Sequence, residues 1–144
     1  MKCMVTFLRN NKGNIALEFA IVVPFLFVLL AGILNFGLII ANQNQLNSIV
    51  SAGLLYAACQ DRTSAEVETV MNNVTTLSPI TNTATLFCQC LGGSAVSCSS
   101  TCPDGTTPMR YITAQSQSQV TLIVPDFIVS NPFVTTAKST VRTK

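Results

Sequence analysis

The chain has 144 residues, a formal net charge of +2, no histidine and no tryptophan, and only 10% of its residues are charged. Such a sparse charge pattern lacks the clustered Lys and Arg of a nucleic-acid-binding face. Without histidine the chain also lacks the commonest general base and metal ligand. The composition therefore predicts a protein that is not an enzyme and that uses no cofactor or small-molecule substrate.

The chain begins with a short basic leader and a long apolar run. The leader, residues 1–13, contains three cations: Lys2, Arg9 and Lys12. Residues 19–41 follow, with Asn35 as their one hydrophilic member. As a helix rising ~1.5 Å per residue they extend roughly 34 Å, enough to cross a ~30 Å hydrocarbon core. Because the next cation is Arg62, the positive-inside rule predicts one membrane span with a cytoplasmic N-terminus.

A single carboxylate, Glu18, stands at the edge of the apolar run, five residues after Gly13. A carboxylate carried to mid-bilayer costs on the order of 2.5–3.5 kcal/mol, so Glu18 needs either a partner or a place at the interface. Three interpretations are open: a plain anchor, a secretory signal peptide, or a segment processed after Gly13. The second fits poorly, because the apolar run exceeds the usual ~7–15 residues of a signal peptide.

Gly13 and the sequence NIALEF that follows it resemble the processing site of type IV prepilins. The resemblance implies a peptidase that cuts between Gly13 and Asn14 and leaves Glu18 as the fifth residue of the mature chain. With Phe19 and Pro24, the run EFAIVVP is similar to the TadE family, the minor pilins or pseudopilins of the tight-adherence (Tad/Flp) pilus system.

The resemblance covers roughly residues 8–60 and implies a structural subunit or assembly factor of a pilus. It implies an inner-membrane location, with the C-terminal head outside the cytoplasm. The implied partners are other pilins or pseudopilins, the inner-membrane Tad assembly platform, a prepilin peptidase and membrane lipid. The alternative is an envelope binding module whose helix only anchors it and is neither processed nor polymerised.

Three positions within the span are candidates for a helix kink or for assembly contacts. Pro24 removes one helical hydrogen bond, which predicts a kink. Asn35 and Gly37 stand where the family usually has Glu-Phe-Gly, so this chain has a neutral amide in place of the second carboxylate. Gly37 is also small enough to permit a close helix approach.

Beyond residue 41 an apolar stripe continues at helical spacing. Its members are Leu46, Ile49, Val50, Gly53, Leu54 and Ala57. One helix is therefore predicted from about residue 14 to about residue 60, half in lipid and half packed on a head. Thr63 to Glu66 form a capping box, which predicts a second helix over 63–75.

From residue 81 onward, β-forming residues and turn signals predict strands at 83–90, 109–124 and 133–143. Neither alternating face of residues 111–119 is apolar, which predicts an edge strand or hairpin arm. The predicted fold class is α+β, with a pilin-like head attached to the long helix. The predicted regions are the leader 1–13, the transmembrane helix 14–41 and the head 42–144, with sub-regions 42–61, 63–75 and 81–144.

Four of the six cysteines cluster within 15 residues: Cys88, Cys90, Cys98 and Cys102. Their spacing differs from the usual paired hooks of a zinc site, and an oxidising compartment favours two disulfides. Pairing of Cys88 with Cys90 is sterically awkward, which leaves 88–98 with 90–102 or 88–102 with 90–98. Cys59 is predicted to be a buried apolar residue, the alternative being an intermolecular cross-link.

Overall fold

A computed structural model describes residues 11–59, 61–123 and 132–143, with residues 11–16 described by their backbone alone. The described residues form two helices, α1 (Asn11–Cys59) and α2 (Ser64–Val74). The strands are β1 (Ile80–Gln89), β2 (Ala95–Val96), β3 (Met109–Val120) and β4 (Phe133–Arg142). The long helix, the second helix and the antiparallel sheet confirm the predicted α+β class. Most of the predicted basic leader lies outside the described residues.

Helix α1 runs as one element through the whole apolar run and into the head. Pro24 lies inside it, where it removes one backbone hydrogen bond without ending the helix. The prediction of a single helix over about 14–60 is confirmed; the kink at Pro24 stays a prediction.

Helix α2 begins at the predicted capping box. The Thr63 amide donates to Glu66 Oε2 at 3.0 Å, and the Glu66 amide donates to Thr63 Oγ1 at 3.4 Å. These reciprocal bonds satisfy two amides that have no partner within the helix. On the inner face of α2, Val67 and Met71 are fully buried.

The four strands form one antiparallel sheet in the order β2-β1-β3-β4. The prediction that β3 is an edge strand is wrong, because β3 pairs with β1 on one side and with β4 on the other. Apart from Ile112, its inward face carries small residues, which let a helix pack closely. The buried residues of this face are Ile112, Ala114, Ser116 and Ser118.

The buried hydroxyls of Ser116 and Ser118 in β3 have hydrogen-bond acceptors in and just before β1, which explains why a polar strand can lie at the centre of the sheet. Ser116 Oγ donates to Asn82 Oδ1 at 2.6 Å, and Ser118 Oγ donates to the Pro79 carbonyl at 3.1 Å. A buried hydroxyl is tolerated when it is hydrogen-bonded. Alternation of apolar and polar residues is therefore a poor guide to burial in this strand.

The core lies between the sheet and the two helices. It contains every apolar member of the predicted α1 stripe, packed against α2 and the sheet: Leu46, Ile49, Val50, Leu54, Ala57, Val67, Met71, Ala84, Ile112, Ala114 and Ala137. Gly53, the remaining member of the stripe, is also buried. The predicted burial of Cys59 is wrong, since its side chain is exposed. Cys59 follows the buried Ala57 by two positions, about 200° around the helix, so it faces outward.

Candidate functional site

Residues 17–34 of α1, here called the apolar half, contain no buried side chain among the residues that the structure describes. Phe19, Phe25 and Phe27 are 68%, 73% and 67% exposed. None of the most apolar stretch is buried within the chain, and by length and composition this helix can cross a membrane. A side-chain carbon added at Gly32 or Gly37 would meet nothing within 4 Å. Apart from the partly buried Val23 and Ala31, the described side chains of this half are exposed and available to lipid or to other helices.

Glu18 lies exposed at the N-terminal edge of the apolar half. Within the described part of the chain it has no ion-pair partner. Gly13 and Asn14 lie in the first turns of α1 by their backbone, so Asn14 precedes Glu18 by one helical turn. The structure does not test cleavage after Gly13, which stays a prediction.

Residues 35–59 are here called the head half. Three of their polar side chains form hydrogen bonds to the sheet or to the segment that follows β3. Asn35 Oδ1 accepts a hydrogen bond from the Ile123 amide at 2.9 Å. Asn42 Nδ2 donates to Thr135 Oγ1, and Gln43 Nε2 donates to the Thr136 carbonyl at 3.1 Å. We call these three contacts the polar seam.

Asn35 is the member of the polar seam that lies deepest in the apolar run. It holds the segment that follows β3 against α1. A neutral amide can accept this bond without placing an ionised carboxylate in an apolar setting.

The cysteine cluster forms a loop region at the far end of β1. Cys88 and Cys98 lie at disulfide distance with Cα atoms 5.1 Å apart, as do Cys90 and Cys102 at 5.7 Å. Of the two pairings left open by the sequence, the structure has 88–98 with 90–102. In the described part of the chain, no group of three or more potential ligand side chains could hold a metal ion.

Beside the disulfides lies an open hollow of about 470 Å³ with a mixed polar and apolar lining that includes two arginines. Arg110 and Arg142 supply its charge, and Arg110 Nη1 also pairs with Asp61 at 3.1 Å. The remaining lining residues are Cys98, Ser99, Ser100, Thr101, Thr107, Pro108, Met109 and Thr143. In the adjacent turn, hydrogen bonds from the Thr106 hydroxyl and amide lower the pKa of Asp104 below its ordinary value.

The site thus consists of an uncovered apolar helix, a carboxylate at its edge and a head fastened at Asn35 and Asn42. Residues 13–54 match the family of TadE-like proteins. This TadE-like segment contains Gly13, Glu18 and Pro24 together with the whole apolar half, so the resemblance predicted from the sequence is confirmed there. Residues 55–144 lie outside the match. Comparisons with curated proteins and with solved structures gave no match.

Sequence reasoning missed the polar seam, whose partners are far apart in the chain. Asn35 and Ile123 are separated by 88 positions, and Asn42 and Thr135 by 93. One signal was available: Asn35 and Asn42 are seven residues apart and so share one face of a helix. An amide on that face, within an otherwise apolar run, requires a polar partner.

Proposed function

We propose that this chain is a structural subunit or assembly factor of a Tad/Flp-type pilus, a minor pilin or pseudopilin processed by a prepilin peptidase after Gly13. The observation that carries the proposal is the TadE-like segment, whose apolar half is left uncovered by the head. In this proposal the helix lies in the inner membrane, and the head lies outside the cytoplasm. The chain is a substrate of the peptidase and performs no catalysis itself.

Glu18 supplies the assembly chemistry in this proposal. Cleavage after Gly13 gives Asn14 a free α-amine one helical turn from Glu18, so the carboxylate can pair with that amine or with the amine of a neighbouring subunit. In a packed bundle a subunit out of register would leave both charges unpaired in apolar surroundings, which is strongly unfavourable. The pair would therefore fix the axial register of one subunit against the next.

The proposed partners are other pilins or pseudopilins and the inner-membrane assembly platform. The apolar half suits such partners because its large side chains are exposed around the helix. The open space beside Gly32 and Gly37 would allow another helix to approach closely. Membrane lipid would occupy the same surface before assembly.

A second candidate function is an anchored binding module outside the cytoplasm. The observation that favours it is the hollow beside the disulfides, because Arg110 and Arg142 together with several hydroxyl groups suit an anionic or hydroxylated partner. In that case the helix would serve only as an anchor, and Glu18 would have no role in function.

Replacing Glu18 separates the two candidates. If the helix assembles, Glu18→Ala breaks a buried pair at a cost of roughly 3–5 kcal/mol, so incorporation into the pilus should fall severely while cleavage after Gly13 continues. Glu18→Gln should reduce incorporation in the same way, because it keeps the shape of the side chain and removes its charge. Asp104→Ala, which removes an exposed carboxylate from a turn of the head, is the matched control and should assemble normally.

The readouts are cross-linking to pilin partners and the amount of pilus recovered. Wild-type levels of both for Glu18→Ala would rule out the assembly role and favour the binding module.

A further inference from the structure

The depth of the helix in a bilayer follows from the position of Glu18. If the hydrocarbon begins next to Glu18, about 20 residues of helix cross a ~30 Å core, which places its far boundary near Leu38. The segment 19–34, before the first contact with the head, spans only roughly 24 Å. A tilted helix would need still more residues to cross the core. The bilayer must therefore extend past the level of Asn35.

At that level the head already lies against α1. The Ile123 amide donates to Asn35 Oδ1 at 2.9 Å, so the segment that follows β3 lies about one helical turn inside the expected boundary. Leu122 is buried, whereas the Ile123 side chain is 64% exposed. Around the same level of α1, Phe36, Leu38 and Ile40 are 66%, 42% and 46% exposed. At this level both the helix and the segment present exposed apolar side chains.

We propose that residues 121–123 are a second membrane contact, in which the Ile123 side chain lies among the acyl chains near the head-side boundary of the hydrocarbon. The proposal rests on the membrane anchoring proposed above and adds to it a contact made by the head. It commits to lipid as the occupant, because the distance along α1 places Ile123 at hydrocarbon depth whether or not another subunit is present.

Through its contact at Asn35, the polar seam allows the non-helical backbone of residues 121–123 to lie at the depth of the hydrocarbon. An amide without a partner in hydrocarbon is costly, and irregular backbone at membrane depth is tolerated only where protein groups satisfy it. The side-chain oxygen of Asn35 accepts a hydrogen bond from the Ile123 amide, so both of these polar groups have a partner. The contact also fixes the distance between the sheet and the membrane, because Asn42 bonds to Thr135 two helical turns further along.

The natural chain contains no tryptophan, so a single introduced indole reports on one site. We would compare Ile123→Trp, Phe27→Trp and Leu91→Trp in the full chain, reconstituted in phosphatidylcholine vesicles with or without bromine on the acyl chains. The three replaced side chains are similarly exposed, at 64%, 67% and 70%. Phe27 lies midway along the apolar run. Leu91 follows β1, whose end pairs with the start of β3, so it lies at the opposite end of the sheet from Ile123.

The expected result is that Ile123→Trp emits at short wavelength and loses most of its emission in brominated vesicles. Bromine near the carbonyl end of the chain should quench it more than bromine near the terminal methyl. Phe27→Trp should show the reverse depth preference, and Leu91→Trp should keep its emission in both.

Two outcomes would overturn the proposal, and they differ from failure of the anchor. If Ile123→Trp emits at long wavelength without quenching while Phe27→Trp is quenched, the anchor stands and the second contact is wrong. If Ile123→Trp emits at short wavelength but is not quenched, protein and not lipid covers the site, and a neighbouring subunit is the occupant. Absence of quenching in Phe27→Trp would instead refute the membrane anchoring itself.

Discussion

The apolar half and the head half of α1 belong to one uninterrupted helix, yet their side chains have opposite surroundings. In residues 17–34 all the large apolar side chains except the partly buried Val23 are exposed. In residues 35–59 the apolar side chains on one stripe, among them Leu46 and Ala57, are completely buried. The head therefore covers α1 mainly from Asn42 onward, where the sequence has a polar face to leave in solvent.

This difference shows how one continuous helix can serve two environments. Where the helix is amphipathic, the sheet and α2 cover its apolar stripe and form a small core. Where it is apolar all round, one domain cannot cover every face, and lipid or other helices must do so. The polar seam at Asn35 and Asn42 lies at the transition between the two.

Removing one disulfide from the head, with the apolar half left unchanged, gives the largest expected change in the free energy of unfolding. Replacing both members of one cysteine pair, as in Cys88→Ser with Cys98→Ser, removes a short loop closure worth about 2–3 kcal/mol. We expect the urea midpoint of the head to fall accordingly, and Cys59→Ser, which changes an exposed unpaired cysteine, to leave it unchanged. Both tyrosines, Tyr56 and Tyr111, lie in the head, so tyrosine fluorescence follows its unfolding selectively.

The same experiment should show that the apolar half remains helical by circular dichroism in vesicles after the head unfolds. If the apolar half loses its helical signal when the head unfolds, the two halves of α1 are not independent. An unchanged midpoint for the cysteine variant would mean that the bridge does not form in the mature protein.

Replacing one glycine by leucine in each half of α1 compares the packing of the two halves with the same substitution. A side-chain carbon at Gly53 would lie 2.6 Å from Met71 Cγ and 3.3 Å from Val67 Cγ1. Gly53→Leu should therefore separate α1 from α2 and destabilise the head by roughly 1–3 kcal/mol, the usual cost of overpacking. Gly32→Leu, which enters open space in the apolar half, should leave the urea midpoint of the head unchanged. Equal midpoints for the two variants would contradict the packing described between α1 and α2.

The smallest expected effect is on the pH dependence of the urea midpoint of the head. The hydrogen bond from the Thr63 amide lowers the pKa of Glu66 below its ordinary value of 4.5. A carboxyl with a lowered pKa in the folded state stabilises the protein above its ordinary pKa, and this contribution is lost as the pH falls through the lowered value. Glu66→Gln should therefore show a weaker decline of the urea midpoint on acidification than the natural chain. An identical decline in both proteins would show that the cap does not contribute to the acid sensitivity of the head.

The elements that could be predicted from the sequence are those set by local periodicity or local chemistry. The stripe from Leu46 to Ala57 predicted the buried face of α1, and Thr63 with Glu66 predicted the start of α2. The spacing of Gly13, Glu18 and Pro24 was sufficient for the family resemblance. Turn signals separated the predicted strands, and in the structure Gly92 and Gly105 lie between strands with the positive φ that glycine adopts readily.

Features decided by distant partners could not be predicted in this way. The position of β3 in the sheet depends on Ser116 and Ser118 finding acceptors at Asn82 and Pro79, which no alternation of residues reveals. The contact between Asn35 and Ile123 joins residues 88 positions apart, so it becomes visible only in the fold.

The most direct test of the central claim is the mass of the mature protein purified from its native membrane. If α1 is a processed assembly helix, the intact mass should correspond to a chain beginning at Asn14. Gly13→Leu should remain heavier by the mass of residues 1–13, while Gly32→Leu should be processed normally. A natural protein that retains residues 1–13 in both the membrane and the pilus fraction would contradict the account.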